Sequence, residues 1–578
     1  MSKSPSLALP NPKRWGLPLL IFAIALGLRL IGIGWGLPNE KHVQSYHPDE
    51  GYIWVRSQLI EPAKLNFTPH FYNYGTFYLT TLKLASDVVA GYAGGGVDPK
   101  NPDATWDYVR KCHLAGRIIS ALAGAGTALI VFLALRRFSN DFGAFFGGLA
   151  IAVAPVHVVH SQFQTVDVLA TLLIALSSFY ALRLIKIEGL VEKSSDVKLA
   201  VLSGLFCGLS AGTKYTGIFC LLTVFTIALA TQKKAGIKLC LIALGVTTVS
   251  FLLVTPGAIL ESGLFIRDFT FEMKHTSEGH GLVFAGTSSG FIYHIANLFL
   301  GMGLILSILG LVGLTFGAYR KHLWAIGLLA FFLPYYILIG RAEVKFVRYT
   351  FPLYVGLGVG FGWMMGRARE KGGKWHGLVG LGMLGVGGFV GGGFQATARY
   401  LAWMAGPEPR DEAGTYLAGK DVSVGLVTDP WFYTPAFHPY LGQRYMLQEG
   451  IGLVGYSTYP KFDAAIAQFQ SPRIIRFVPE EGGQRIVTLR SDWDERLIKE
   501  AGPDYIVYSS FETEGLDRIG KMEKPDLGMK AAADRARAFM DRLKQEYEFD
   551  RQLGPNQEFI HDLMYIQPTV WIWKRKAP

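Results

Sequence analysis

The chain has 578 residues, of which 50% are hydrophobic and only 17% charged, and its mean hydropathy is +0.27. A soluble protein of this length carries about 25% charged residues and fewer apolar ones, so composition excludes a conventional soluble enzyme. The net charge of +11 would suggest nucleic acid in a soluble chain, but no basic cluster is interleaved with aromatics, and nucleic-acid binding is set aside.

The apolar residues are clustered into runs close to the roughly 20 residues that cross a bilayer. In chain order, spans are expected near residues 15–36, 113–135, 142–160, 166–184, 197–212, 215–231, 237–256, 290–317, 322–340, 350–366 and 376–396, about eleven in all. The first run is too long for a cleaved signal peptide and no small-residue cleavage site follows, so it reads as an uncleaved first span.

Lysine and arginine then set the orientation. Lys13 and Arg14 precede the first span; Arg136 and Arg137, then Arg183, Lys186, Lys193 and Lys198, then Lys233, Lys234 and Lys238, then Arg320 and Lys321, then Arg367, Arg369, Lys371 and Lys374 follow alternate later ones. Alternate basic connections mark the cytoplasmic side. The amino terminus is therefore expected inside and, with an odd number of spans, the carboxy terminus outside. The outer connections are 37–112, "HSQFQT", "GTKYTG", 257–289 and "GRAEVKFVRY".

Two domains are expected, a transmembrane unit over 1–397 and an extracytoplasmic α/β domain over 398–578. The second segment is polar and holds candidate strands "VSVGLVTD", "RIIRFV", "DYIVYSSF" and "TVWIWKR", with a helix of 3.6-residue period through "MKAAADRARAFMDRLKQEY". The glycine-rich "LVGLGMLGVGGFVGGGF" follows no strand and lacks a Lys-Ser/Thr ending, so it reads as close helix packing and not as a phosphate loop. Cys112, Cys207, Cys220 and Cys240 lie in or beside apolar runs with no metal-ligand spacing and no disulfide framework.

The chemistry gathers on the outer side. "HPDE" places Asp49 and Glu50 just after the first span, and two adjacent acids on one element point apart, so one is suited to chemistry and the other to orienting it. Asp167 opens an apolar span, either as a first-turn acid favoured by the helix dipole or as a functional group held at membrane depth. Arg117, Lys214, Arg341, Lys345 and Arg348 are cations on the face that the positive-inside pattern leaves poor in them. They are either snorkelling anchors or holders of an anionic headgroup, and the charge bias favours the headgroup. His157 with His160, and His275 with His280 beside Glu272 and Glu278, lack a third ligand at set spacing, so no metal site is expected.

These pieces together resemble the GT-C membrane glycosyltransferases, in the branch of the protein O-mannosyltransferases and lipid A aminoarabinose transferases. The resemblance rests on "HPDE", "AGRIISALAG", "HSQFQTVDVLATLLIALSSFYALR", "GLSAGTKYTGIF" and "VKFVRYTFPLYVGL", in that order over about residues 15–366. It implies a GT-C-like helical membrane protein of the cell (inner) membrane with no required cofactor. It implies a polyprenyl-phosphate-linked hexose or pentose as donor and a protein, lipid or glycan hydroxyl as acceptor. Asp49 matches the catalytic acid, with Glu50 beside it and Asp167 as a second outer acid. Arg117, Lys214, Lys345 and Arg348 match positions that would hold lipid phosphate. The first outer loop, through "NFTPHFYNYGTFYLTTLKLASDVV", is expected to carry interfacial helices beside the donor groove. The rival readings are a transporter or flippase, which would favour midplane acids and internal repeats, and a non-catalytic assembly protein.

Overall fold

The computed structural model describes residues 15–577 except 40–41, 43–44, 93, 97–101, 189–191, 419, 421, 429–430, 436–463, 468–473, 478–484, 490–491, 524 and 556–559. Lys13 and Arg14, expected to flank the first span, lie outside the described residues.

The chain is mostly helical, with a small sheet near its end, and its long apolar helices make it a multi-pass membrane protein. Each apolar run expected to span falls on helix, but the helices break where sequence periodicity does not show it. Among the described residues, four helices are long and apolar enough to cross a membrane: Ala104–Leu135, Tyr215–Gln232, Lys234–Val254 and Leu323–Gly340. The run expected at 290–317 is two helices, Gly290–Met302 and Leu304–Tyr319, bent by 112°, and counting that pair as one span gives five. Gly16–Leu30, Asp141–Ala152 and Val166–Leu182 are apolar but shorter. The run expected at 142–160 is interrupted before Pro155, which opens the short helix Pro155–His160.

The centre of the helical unit is Phe351–Lys371, buried along nearly its whole length. Its glycines permit this. A methyl group on Gly362 would collide with the backbone of the helix Asp141–Ala152, one on Gly360 would collide with that of Leu304–Tyr319, and one on Gly358 would press on the Ile151 side chain at 3.0 Å. Small residues four apart let helix backbones approach closely, which is how membrane helices gain packing energy where lipid removes the hydrophobic drive.

The 112° bend has a local cause. Gly303 lies at φ +112 and its backbone rests against Gly391 and Gly392, the latter at φ +81. Side-chain-bearing residues avoid this region, and a Cβ on Gly392 would fall 2.1 Å from the Gly303 Cα. The glycine-rich run thus forms the break between His376–Gly387 and Gly393–Ala405, and it packs against the bend. Gly392→Ala is expected to cost about 1–3 kcal/mol through overpacking and backbone strain. It should lower the detergent melting midpoint clearly, and an unchanged midpoint would show that the contact is dispensable.

The helix Gly393–Ala405 crosses residue 397, where the domain boundary was expected, and packs on the helical unit through Thr397, whose hydroxyl donates to Val153 O at 2.8 Å. The sheet unit follows from Pro409–Leu417 onward. Among the described residues its seven strands are β1 Ser423–Leu426, β2 Ala464–Ala467, β3 Ile474–Phe477, β4 Arg485–Leu489, β5 Tyr505–Ser509, β6 Tyr547–Leu553 and β7 Val570–Arg575, in the order β2-β3-β4-β1-β5-β7-β6. β1 pairs parallel with β4 and β5, and every other pairing is antiparallel. β5 is buried at all five positions. Ile506 and Tyr508 face Phe539 and Leu543 of the helix Leu527–Glu546, while Tyr505 and Val507 face Ala413 and Leu417. Such two-sided burial is what a strand covered by helices on both faces requires. β1, β3, β5, β7 and the helix coincide with the stretches expected from sequence; β2, β4 and β6 were not anticipated.

Candidate active site

"HPDE" is a helix start. His47 is the N-cap of Pro48–Gln58, with Nδ1 accepting the Asp49 N–H at 3.3 Å. Proline at the first position has no N–H to satisfy, and the two acids fill the first turn, where the helix dipole favours negative charge. At 3.6 residues per turn, neighbouring side chains point about 100° apart, so the two acids go different ways.

Glu50 turns inward. Its Oε1 accepts from Arg117 Nε at 2.8 Å and from Gln164 N at 2.7 Å, and its Oε2 accepts from Arg117 Nη2 at 2.7 Å and from the Ser45 hydroxyl. Arg117 also donates through Nη1 to Ile33 O at 2.7 Å and Trp35 O at 2.6 Å, and through Nη2 to Ser45 Oγ at 3.3 Å. Both side chains are 0% exposed. Burial alone would push the Glu50 carboxyl up, but the guanidinium beside it holds it down to about 2. This corrects the expectation for Arg117: all its donors are engaged by the Glu50 carboxylate and the surrounding loops, so it has none left for a lipid phosphate.

Asp49 turns outward into a cavity of about 440 Å³ walled by both the helical unit and the sheet unit. Among the described residues lining it, Arg348 is the only lysine or arginine. Arg348 follows the loop after Leu323–Gly340 and immediately precedes the central helix. Its guanidinium lies 3.9 Å over the Phe346 ring, with Nη2 3.7 Å from Asp49 Oδ2 and Nε 3.9 Å from Asp167 Oδ2. Asp167, in the first turn of Val166–Leu182, takes Lys214 Nζ on Oδ1 at 2.5 Å. Lys214 Nζ also sits 4.4 Å over the Tyr349 ring, which lines the cavity. Burial raises the Asp49 carboxyl above its ordinary 3.8; Arg348 opposes the rise, and Asp167 and Asp562 add to it.

The fold thus brings Asp49, Asp167, Lys214 and Arg348 together from four separate stretches. Two other expected cations are not part of this group. Lys345 Nζ donates to Thr287 Oγ1 at 3.1 Å and pairs with Glu343 at 3.2 Å, and Arg341 is exposed; neither lines the cavity.

Sequence reasoning missed the contribution of the segment around the sheet. Asp562 meets Arg348 Nη1 at 3.1 Å and accepts the Val347 N–H at 3.0 Å. His561 lines the cavity, with Nδ1 2.6 Å from Glu514 Oε2. Trp431, Phe432 and Tyr433 of "DPWFYTP" and Tyr565 complete an aromatic wall. The one available signal was a charged "HD" inside the apolar "FIHDLMYI".

The histidines weighed as metal ligands are distributed differently. His157 Nδ1 is 2.8 Å from Arg29 Nη2, and His160 Nε2 is 3.5 Å from Asp562. His275 and His280 line the cavity with their Nε2 and Nδ1 3.2 Å apart, and burial, then His275, His561 and Arg348, hold His280 down to about 4. Among the described residues no group of three or more His, Cys, Asp or Glu is gathered as a metal site.

Residues 110–259 match the family model described as dolichyl-phosphate-mannose-protein mannosyltransferase. That match agrees with the resemblance to GT-C membrane glycosyltransferases drawn from the sequence. No curated protein sequence matches the chain. Among solved structures, the chain is similar to ArnT from Cupriavidus metallidurans bound to undecaprenyl phosphate, at 16% identity and a TM-score of 0.48 over 77% of this chain and 74% of that one. It is also similar to the oligosaccharyltransferase AglB from Archaeoglobus fulgidus in complex with an inhibitory peptide and a dolichol-phosphate, at 12% identity and a TM-score of 0.49 over 93% and 73%.

Proposed function

We propose that this chain is an inverting glycosyltransferase that moves a sugar from a polyprenyl-phosphate carrier to an acceptor hydroxyl at the extracytoplasmic membrane surface. The observation that carries the reading is Asp49 facing Arg348 across 3.7 Å in one cavity. A carboxylate base and a phosphate-binding cation then lie within the span of a single sugar phosphate. The family match over 110–259 supports the reaction class.

Asp49 takes the proton of the acceptor hydroxyl as that oxygen attacks the anomeric carbon. The bond from the anomeric carbon to the phosphate oxygen breaks on the opposite side, which inverts the configuration. The carrier leaves as a polyprenyl phosphate with one more negative charge. Arg348 is placed to stabilise that charge as it grows, because preorganised cations act most strongly where charge develops. Asp167 holds Lys214 and faces Arg348, so its role is to aim both cations. No step as drawn needs a further cofactor.

The helix ends support the proposed orientation. Arg137 and Arg183 meet at Glu192, at 3.1 and 2.6 Å, and the end of the central helix meets Asn140 through Gly366 O at 3.1 Å. These basic connections close the ends of Ala104–Leu135, Val166–Leu182 and the central helix that lie away from Asp167 and Arg348. By the positive-inside rule those ends face the cytoplasm, and the cavity and sheet domain face out.

The test is to incubate the purified protein with a panel of polyprenyl-phosphate sugars and membrane extract as acceptor, and to follow release of free polyprenyl phosphate. Release establishes transfer and names the donor. No release with any donor moves the reading to a transporter. The raised Asp49 carboxyl adds a pH expectation. The base works only when ionised, so kcat/KM should fall on the acid side through a midpoint above 3.8 and level off at higher pH. Initial rates against pH measure this, and an acid limb centred at or below the ordinary carboxylate range would remove Asp49 as the base.

A further inference from the structure

We infer that Asp562, delivered by the sheet domain, is a positioning residue that holds Arg348 for the carrier phosphate. The inference rests on the proposed reading of Arg348 as the phosphate-holding cation.

Arg348 has one short ionic contact and two long ones. Nη1 is 3.1 Å from Asp562 Oδ1, whereas Nη2 is 3.7 Å from Asp49 and Nε is 3.9 Å from Asp167. The edge toward Asp562 is a hydrogen bond; the other two contacts are longer than one. A phosphate oxygen therefore has two loosely held N–H edges to take, on the side where Asp49 stands, without displacing the bond to Asp562. The second Asp562 oxygen accepts the Val347 N–H at 3.0 Å, so one carboxylate fixes both the backbone and the guanidinium of the same turn. Asp562 is 2% exposed and Arg348 8%. A charge-assisted pair so buried has little freedom to reorganise when the ligand arrives.

Asp562 is itself held rigidly. It lies in the short helix His561–Met564, which runs into β7. Ser510 N donates to Thr569 O at 2.8 Å, next to β7, and Tyr565 O accepts Arg410 Nη2 at 2.7 Å. Arg410 in turn lies 3.8 Å over the Tyr46 ring, in the loop that leads into "HPDE". The sheet domain thus grips the loop of the base and the arginine of the phosphate site together, so that docking of this domain completes the site.

The test is a double-mutant cycle on the full-length protein in detergent. Undecaprenyl phosphate is the probe, with binding read by quenching of tryptophan fluorescence. Arg348→Ala should weaken binding by about 100-fold and Asp562→Asn by about 10-fold, within the range for lost charge-assisted hydrogen bonds. In the Arg348→Ala background, Asp562→Asn should add nothing, because its effect passes through the arginine. Additive losses, wild-type affinity in Asp562→Asn, or tighter binding in that variant would each overturn the inference. If Arg348→Ala binds as wild type does, the phosphate reading of Arg348 itself fails, and the inference falls with it. If Asp562→Asn folds poorly alone, the thermal melt decides. Recovery in the double variant, where both charges are gone, supports the pairing; equal instability sinks it.

Discussion

Replacing Asp49 by asparagine is expected to lower sugar transfer by about 10³-fold, within the 10²–10⁴ that a general base contributes. The substitution keeps shape and volume and removes only the ability to take a proton. Asp49 is the second residue of its helix, so the variant also loses a favourable charge near the positive end of the dipole. That loss is about 0.3–1 kcal/mol and leaves the fold intact. The long contact of Asp49 to Arg348, at 3.7 Å, means that phosphate binding should survive. The measurement pairs initial transfer rates with undecaprenyl phosphate binding, for wild type and variant side by side. A large fall in rate with binding kept within a few-fold fits the assignment. Wild-type rates would refute it, and loss of binding to the same degree as loss of rate would make Asp49 a binding group.

Breaking the Glu50–Arg117 pair should damage the fold more than any other single change considered. Both side chains are fully buried, and each satisfies the other. Glu50→Gln leaves the guanidinium charge with no counter-charge in a dry interior, at a cost of about 3–5 kcal/mol. Arg117→Met strands the carboxylate in the same way and also frees the Ile33 and Trp35 carbonyls. The double variant should be less destabilised than the sum of the two. Melting midpoints in detergent measure this, and a single variant as stable as wild type would show that the pair is not structural. The pair also sets an acid limit. The Glu50 carboxyl is depressed in the fold from its ordinary 4.5 to about 2, so its contribution is fully present above 4.5 and is lost as the pH falls toward 2. Stability of the wild type should fall through that window, and the fall should be smaller in Glu50→Gln.

Arg117 shows why a role cannot be carried over on residue type alone. In the sequence it is a cation beside the end of an apolar run, as Lys214 and Arg348 are. Which of them faces the cavity depends on which carboxylate reaches it first. Glu50, the neighbour of Asp49, swings onto Arg117, and together with the Ile33 and Trp35 carbonyls and Ser45 it occupies every donor the guanidinium has. Asp167 takes Lys214, and Asp562 takes one edge of Arg348 and leaves two.

Several features are encoded over a few residues and could be read directly. The pattern His-Pro-Asp-Glu carries a cap, a donor-free first position and two acids for the positive end of a helix, which is why it begins one. Residues 505–508 of β5 are apolar or aromatic throughout because both faces of the sheet are covered.

Other features exist only once distant segments meet. The bend at Gly303 packs on Gly392 so closely that a methyl group there would fall 2.1 Å from the Gly303 Cα. Asp562 reaches Arg348 across 214 positions of chain, from beside a sheet whose own strands gave no hint of that contact. Caps, periodicity and charge bias act within one or two turns, so they leave a trace in the order of residues. The choice of which acid neutralises which base is made by packing, because burial makes an unpaired charge intolerable and the nearest partner in space settles the matter.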